Sequence, residues 1–81
     1  MTAGILTLDL HGKTAHQAKT TIDAQLRRVK GGTYRLRLIH GYHGGTALQE
    51  MIRTVYEHHP QVLRLDRAAG PGITDLVLRE F

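Results

Sequence analysis

Residues 5–17, Ile5-Leu6-Thr7-Leu8-Asp9-Leu10-His11-Gly12-Lys13-Thr14-Ala15-His16-Gln17, change their hydropathy period halfway along. From 5 to 11, Leu6, Leu8 and Leu10 fall on one side and Ile5, Thr7, Asp9 and His11 on the other, the two-residue period of a strand, β1. Thr14 and Gln17 then stand at capping-box spacing, where hydroxyl and amide side chains satisfy backbone N–H groups at a helix start. Ala15, Ala18, Ile22, Leu26 and Val29 continue at helical intervals until Gly31-Gly32, which defines α1. A strand that passes through a short glycine turn into a helix is the first half of a βαβ unit.

The same pattern recurs downstream. Residues 34–40 (YRLRLIH) alternate, setting Tyr34, Leu36 and Leu38 opposite Arg35, Arg37 and Ile39, as β2. After Gly41-Tyr42-His43-Gly44-Gly45, Thr46 and Gln49 repeat the capping box, and Leu48, Met51, Ile52, Val55, Tyr56 and His59 form an apolar helical stripe, α2, closed by Pro60. Residues 62–66 (VLRLD) read as β3 and, past Ala69-Gly70-Pro71-Gly72, residues 73–79 (ITDLVLR) as β4. The order is βαβαββ. Right-handed crossovers put both helices on one side of the sheet, each βαβ step favours a parallel pair, and the short last connection suits an antiparallel hairpin.

Leu6, Leu8, Leu10, Leu36, Leu38, Leu63, Leu65, Leu76 and Leu78 are expected on the helix-facing side. The other side mixes Thr7, Arg35, Arg37, Arg64, Asp75 and Arg79 with Ile5, Ile39, Val62 and Val77. The expectation is an α/β chain of α+β two-layer type: a mixed four-stranded sheet, two helices on one face, the other face uncovered. At 81 residues there is room for one domain and one core, residues 1–81 with a flexible start over 1–4.

With no cysteine the chain excludes disulfides, thiol catalysis and Cys-based zinc sites. No apolar run approaches a membrane span, and the first residues lack a basic start and apolar stretch, so a cytoplasmic monomer with no membrane partner is expected. Eleven Lys and Arg against seven Asp and Glu give +4, a field that favours polyanions such as RNA or DNA.

Both helices begin just past a strand through a His-Gly turn, His11-Gly12-Lys13 and His40-Gly41-Tyr42-His43-Gly44-Gly45, and the topology puts both turns on one edge. Helix N-termini present unpaired N–H groups and a positive dipole end, and glycine lets a phosphate come close. Asp9 and His11, two apart, share a face, where the carboxylate can orient the ring for proton transfer. Asp9 can equally accept loop N–H bonds, His11 can be a plain polar loop residue, and His43 can face solvent. The parity of β2 turns His40 inward, as a catalytic group or as a buried brace between the turns. As metal ligands, Asp9, His11, His40 and His43 come from separate loops and match no established pattern. His58 and His59 suit a helix end, where cations complement the dipole.

These residues bring the chain close to a known family. Leu8-Asp9-Leu10-His11-Gly12, Ile39-His40-Gly41, Gly45-Thr46-Ala47-Leu48 and Gly72-Ile73-Thr74 resemble the Smr (small MutS-related) domain over nearly the whole length. The resemblance implies a fold similar to the C-terminal domain of translation initiation factor 3, and nicking or endoribonuclease activity. It places the chemistry on Asp9 and His11, with the glycine-rich second turn, His40 to Gly45, binding nucleic acid. That turn departs from the usual His-Gly-Lys-Gly-Thr-Gly, and its Tyr42 can stack on a base.

Three functions follow as expectations. The first is an endonuclease in which Asp9 orients His11 or holds Mg2+, Lys13 and the turn N–H groups neutralise the phosphate, and Arg35 and Arg37 contribute to nucleic-acid binding. The second is a binding module for nucleic acid or the ribosome. The third is a protein adaptor docking through Ile5, Ile39, Val62 and Val77.

Overall fold

A computed structural model of the chain describes residues 4–41 and 46–80. The elements run β1 (Ile5–Asp9), α1 (Ala15–Arg28), β2 (Arg35–Ile39), α2 (Ala47–Tyr56), β3 (Arg64–Asp66) and β4 (Ile73–Val77), the expected βαβαββ order. They form one mixed four-stranded sheet with the two helices of an α+β fold. Among the described residues no helix is long and apolar enough to cross a membrane.

The strand order is β1-β2-β4-β3. β1 pairs parallel to β2, with Leu8 opposite Leu38 and Asp9 opposite Ile39. β4 pairs antiparallel with both β2 and β3. The second βαβ step therefore does not yield an adjacent parallel pair: β3 runs parallel to β2, but β4 folds back between them. The hairpin expected at the end of the chain is real, and its second strand occupies the sheet centre.

Leu10, Leu36, Leu38 and Leu76 are fully buried against Ala18, Ile22 and Leu26 of α1 and Ile52 and Tyr56 of α2. At 20–33 cal/mol per Å² of apolar surface, each such side chain contributes about 1.5–3 kcal/mol relative to remaining exposed. The helices are also joined by polar contacts, since the Tyr56 hydroxyl donates to Asp23 Oδ1 at 2.6 Å. Burial, then the Asp23 bond, pushes the Tyr56 phenol far above its ordinary range. His59 does not end a helix, because α2 stops at Tyr56; its ring packs on Tyr56 and its Nδ1 accepts from the Gln61 N–H at 3.1 Å.

Three local expectations need correction. Val62 is buried in the core and Leu63 is 60% exposed, the reverse of the alternation read from 62–66. β3 begins only at Arg64, so the two-residue period does not govern 62–63. Val77 is buried too, and with Val62 it is lost to any docking face. The Gly4 carbonyl accepts from the N–H groups of both Tyr34 and Arg35.

The last correction concerns helix starts. Thr14 forms the complete capping box with Gln17, at 3.0 and 3.1 Å. Thr46, with φ −115° and ψ 12°, makes no side-chain cap bond, so the second box does not form.

Candidate nucleic-acid interface

Strand pairing ends at Asp9 and Ile39, and the Leu10 N–H makes one more bond to the Ile39 carbonyl at 2.8 Å. Because Leu10 is locked in the core, its neighbours Asp9 and His11 are held outward. Asp9 Oδ1 accepts from the His11 main-chain N–H at 3.2 Å and faces the His11 ring Nδ1 at 2.5 Å. An ionised carboxylate can only accept, so Nδ1 carries the hydrogen and Nε2 is the ring atom left for other partners. The His11 side chain and main-chain N–H hold the Asp9 carboxyl below its ordinary range. Both side chains are open to solvent, at 73% for His11 and 57% for Asp9.

His40 follows the parity of Leu36 and Leu38 and points inward, with 7% of its surface exposed. Its Nδ1 lies 2.8 Å from the Gly41 carbonyl and its Nε2 2.9 Å from Thr74 Oγ1. A carbonyl cannot donate, so Nδ1–H donates there and Nε2 accepts from the Thr74 hydroxyl when the ring is neutral. Of the alternatives read from sequence, this geometry is that of the brace.

The brace holds a turn that the sequence reading left out of the site. The Gly72 carbonyl accepts from the His40 N–H at 2.9 Å and from the Gly41 N–H at 3.0 Å. A Cβ on Gly72 would stand 3.1 Å from Gly41 Cα, so any larger residue would push these backbones apart by a few tenths of an ångström, and Gly41 itself adopts φ +74°. A Cβ on Gly41 would reach within 4.0 Å of the His11 Cβ, so the two His-Gly turns are neighbours, as expected. Together with 69–72 they enclose an open cleft of about 610 Å³, lined by His11, Gly12, Ile39, Gly41, Pro71 and Ile73 among others. A trace of this wall exists in the sequence: Thr74 is a polar residue on a face otherwise built of leucines, the mark of an inward polar partner.

Not every expected phosphate contact is available. The N–H groups of His11, Lys13, His40 and Gly41 bond to Asp9, Leu10, Gly72 and Gly72 respectively. The α1 start is occupied in part by its own capping box. Gly12 lines the cleft, and both it and the adjoining Lys13 are exposed. Tyr42, His43, Gly44 and Gly45 lie outside the described residues.

Arg35 and Arg37 sit on the open sheet face, bound to acidic partners. Arg37 grips Asp75 with two bonds, Nε at 2.9 Å and a terminal nitrogen at 3.0 Å, while Arg35 bridges Asp75 at 3.0 Å and Asp66 at 2.9 Å. Arg64 extends the row to Asp66 and Glu80. Three cations and three carboxylates thus neutralise one another on that face, and Asp75 is only 1% exposed.

Among the described residues no three His, Cys, Asp or Glu side chains come together to hold a metal ion. Magnesium takes hard oxygen ligands in a near-octahedral shell. Asp9 Oδ1 is already bonded twice to His11, which leaves Oδ2 as the oxygen this carboxylate would offer a Mg2+.

The comparisons agree with the fold. The family model for the Smr domain matches residues 8–74, and the chain belongs to the Smr domain family, a family known for nucleic-acid binding. Among solved structures it is similar to the Smr domain of Thermus thermophilus MutS2, with a TM-score of 0.79 and 29% identity over 93% of this chain and 99% of that one. No curated protein sequence matches.

Proposed function

We propose that this chain is an endonuclease that binds RNA or DNA at the cleft and moves protons through His11. The observation that carries this reading is the Asp9–His11 pair, which fixes the imidazole tautomer with Nε2 directed away from its own chain. On RNA, Nε2 takes the proton of a 2′-hydroxyl as that oxygen attacks phosphorus. The bond to the 5′-oxygen breaks, the departing oxygen acquires a proton from water or from the imidazolium, and a 2′,3′-cyclic phosphate remains. Asp9 keeps the ring oriented for the transfer. Lys13 and the positive end of α1 balance the phosphate charge.

The test is incubation of the purified chain with structured RNA and supercoiled plasmid, with EDTA or magnesium, beside the His11→Ala and Asp9→Ala proteins. Cleavage of RNA in EDTA, abolished by 2′-deoxy substitution and reduced about 10²-fold or more in His11→Ala, is the expected result. Equal cleavage by His11→Ala removes the assigned role. Binding without cleavage by any form leaves a binding module.

A further inference from the structure

Between the Asp9–His11 pair and the β3–β4 turn, the cleft has an apolar floor. Ile39 and Ile73 stand opposite each other in the β2–β4 register, and Ala69, Pro71 and the glycines at 41, 70 and 72 complete the lining. Among the described residues no carboxylate, ammonium or guanidinium lines it; His11 and His40 are the ionisable side chains of that lining, and both His40 ring nitrogens have partners. Such a floor offers nothing to a phosphate, which seeks cations or free N–H groups, and here the N–H groups of His40 and Gly41 already serve Gly72.

What the floor suits is a flat ring with an apolar face. Its volume, about 610 Å³, exceeds that of one nucleotide. The flanking turns supply the complementary charge: Lys13 follows Gly12, Arg67 opens the 67–72 turn, both are exposed, and neither forms an ion pair among the described residues. An apolar seat whose two flanking turns each carry a cation outside any ion pair has the pattern of one nucleotide in a strand, a base with phosphates beside it.

We infer that the cleft seats a single unpaired nucleobase, which makes the substrate single-stranded, looped or bulged nucleic acid in preference to uninterrupted duplex. The inference rests on the reading that this cleft takes nucleic acid. Inside a duplex both faces of each base are covered by stacking, and presenting one to Ile39 and Ile73 requires extruding it at the loss of stacking and pairing. In a loop or single strand that loss is small.

The experiment measures binding in EDTA by fluorescence anisotropy of a labelled 12-nucleotide single strand made of deoxynucleotides. Beside it are run its blunt duplex and a sugar-phosphate strand of equal length carrying abasic sites throughout. The expected result is binding of the intact strand about tenfold or more tighter than both others at equal salt. In the Ala69→Asp protein, altered at an exposed cleft position, the ratio of intact to abasic affinity falls toward one; taking the ratio cancels the general repulsion of the new charge. Equal affinity for intact and abasic strands, or an unchanged ratio in Ala69→Asp, overturns the base seat while leaving nucleic-acid binding standing. Failure of all three probes to bind overturns the seat and the proposed function together.

Discussion

Two histidines in like-sounding His-Gly turns have opposite surroundings, and strand parity separates them. His11 continues the row of Ile5, Thr7 and Asp9 toward solvent; His40 continues Leu36 and Leu38 into the core. His40→Ala leaves the Thr74 hydroxyl and the Gly41 carbonyl short of a partner and should cost about 1–3 kcal/mol in denaturant unfolding. His11→Ala should stay within about 0.5 kcal/mol of the parent, because its ring is open to water. With its carboxyl held below the ordinary 3.8, Asp9 remains ionised from neutrality down to about pH 4 and keeps its bond to His11 over that range. A titration following the Asp9 carboxyl by NMR should find its midpoint under 3.8, and a midpoint above that value contradicts the pairing. The Asp9–His11 pair was legible because its members lie two residues apart. The ion pairs of Arg35 and Arg37 were not, since Asp66 and Asp75 are 31 to 40 residues further along and nothing local announces them.

Among the elements, Thr-x-x-Gln occurs at both helix starts and caps only one. Thr14 has the extended backbone that aims a hydroxyl at the first turn; Thr46 does not, and Gln49 goes unmatched. Thermal or chemical unfolding should find Thr14→Ala about 1 kcal/mol less stable and Thr46→Ala within a few tenths of the parent. A motif specifies which atoms can bond, whereas the approach of the preceding chain decides whether they do. The alternation that gave the strand faces worked where a ladder enforces it and failed at Val62 and Leu63, one step outside β3. The central place of β4 followed from no local pattern, because strand order depends on which edges meet. Within that strand, Asp75→Ala leaves Arg35 and Arg37 over a buried vacancy and should cost about 3 kcal/mol, against a smaller loss for an exposed pair such as Arg53 with Glu50.

Over the whole molecule, ion pairing confines the net charge of +4 to the cations outside the pairs. Arg35, Arg37 and Arg64 are neutralised by Asp66, Asp75 and Glu80, Lys19 by Asp23, and Arg53 by Glu50. If Lys13 and Arg67 are the cations that meet the strand, log K should fall with log salt at a slope of about −1.4 on single-stranded probes. A slope steeper than about −3 would require the open face to take part. Acid stability follows from the same pairs. Asp23 and Asp66 both have lowered carboxyl values, Asp23 against the effect of burial through bonds from Lys19 and Tyr56, Asp66 through the Ala68 N–H and Arg35. The unfolded chain therefore binds protons first as pH falls through 3.8, so the stabilisation present above that value declines below it and is gone beneath the folded-state values. The share of the unfolding midpoint owed to these two carboxylates should fall between pH 4 and 3, and replacing Asp23 or Asp66 by Asn should reduce that fall.

The carbonyl of Gly72 and the insertion of β4 impose an order of events during synthesis. A nascent chain that has released only residues 5–66 lacks both the strand that pairs with β2 and β3 and the Gly72 carbonyl that anchors the His40 turn. The complete groove therefore requires the stretch around 72–77 to have left the exit tunnel. An interrupted translation product would thus lack one wall of the cleft, because the connectivity places that wall last.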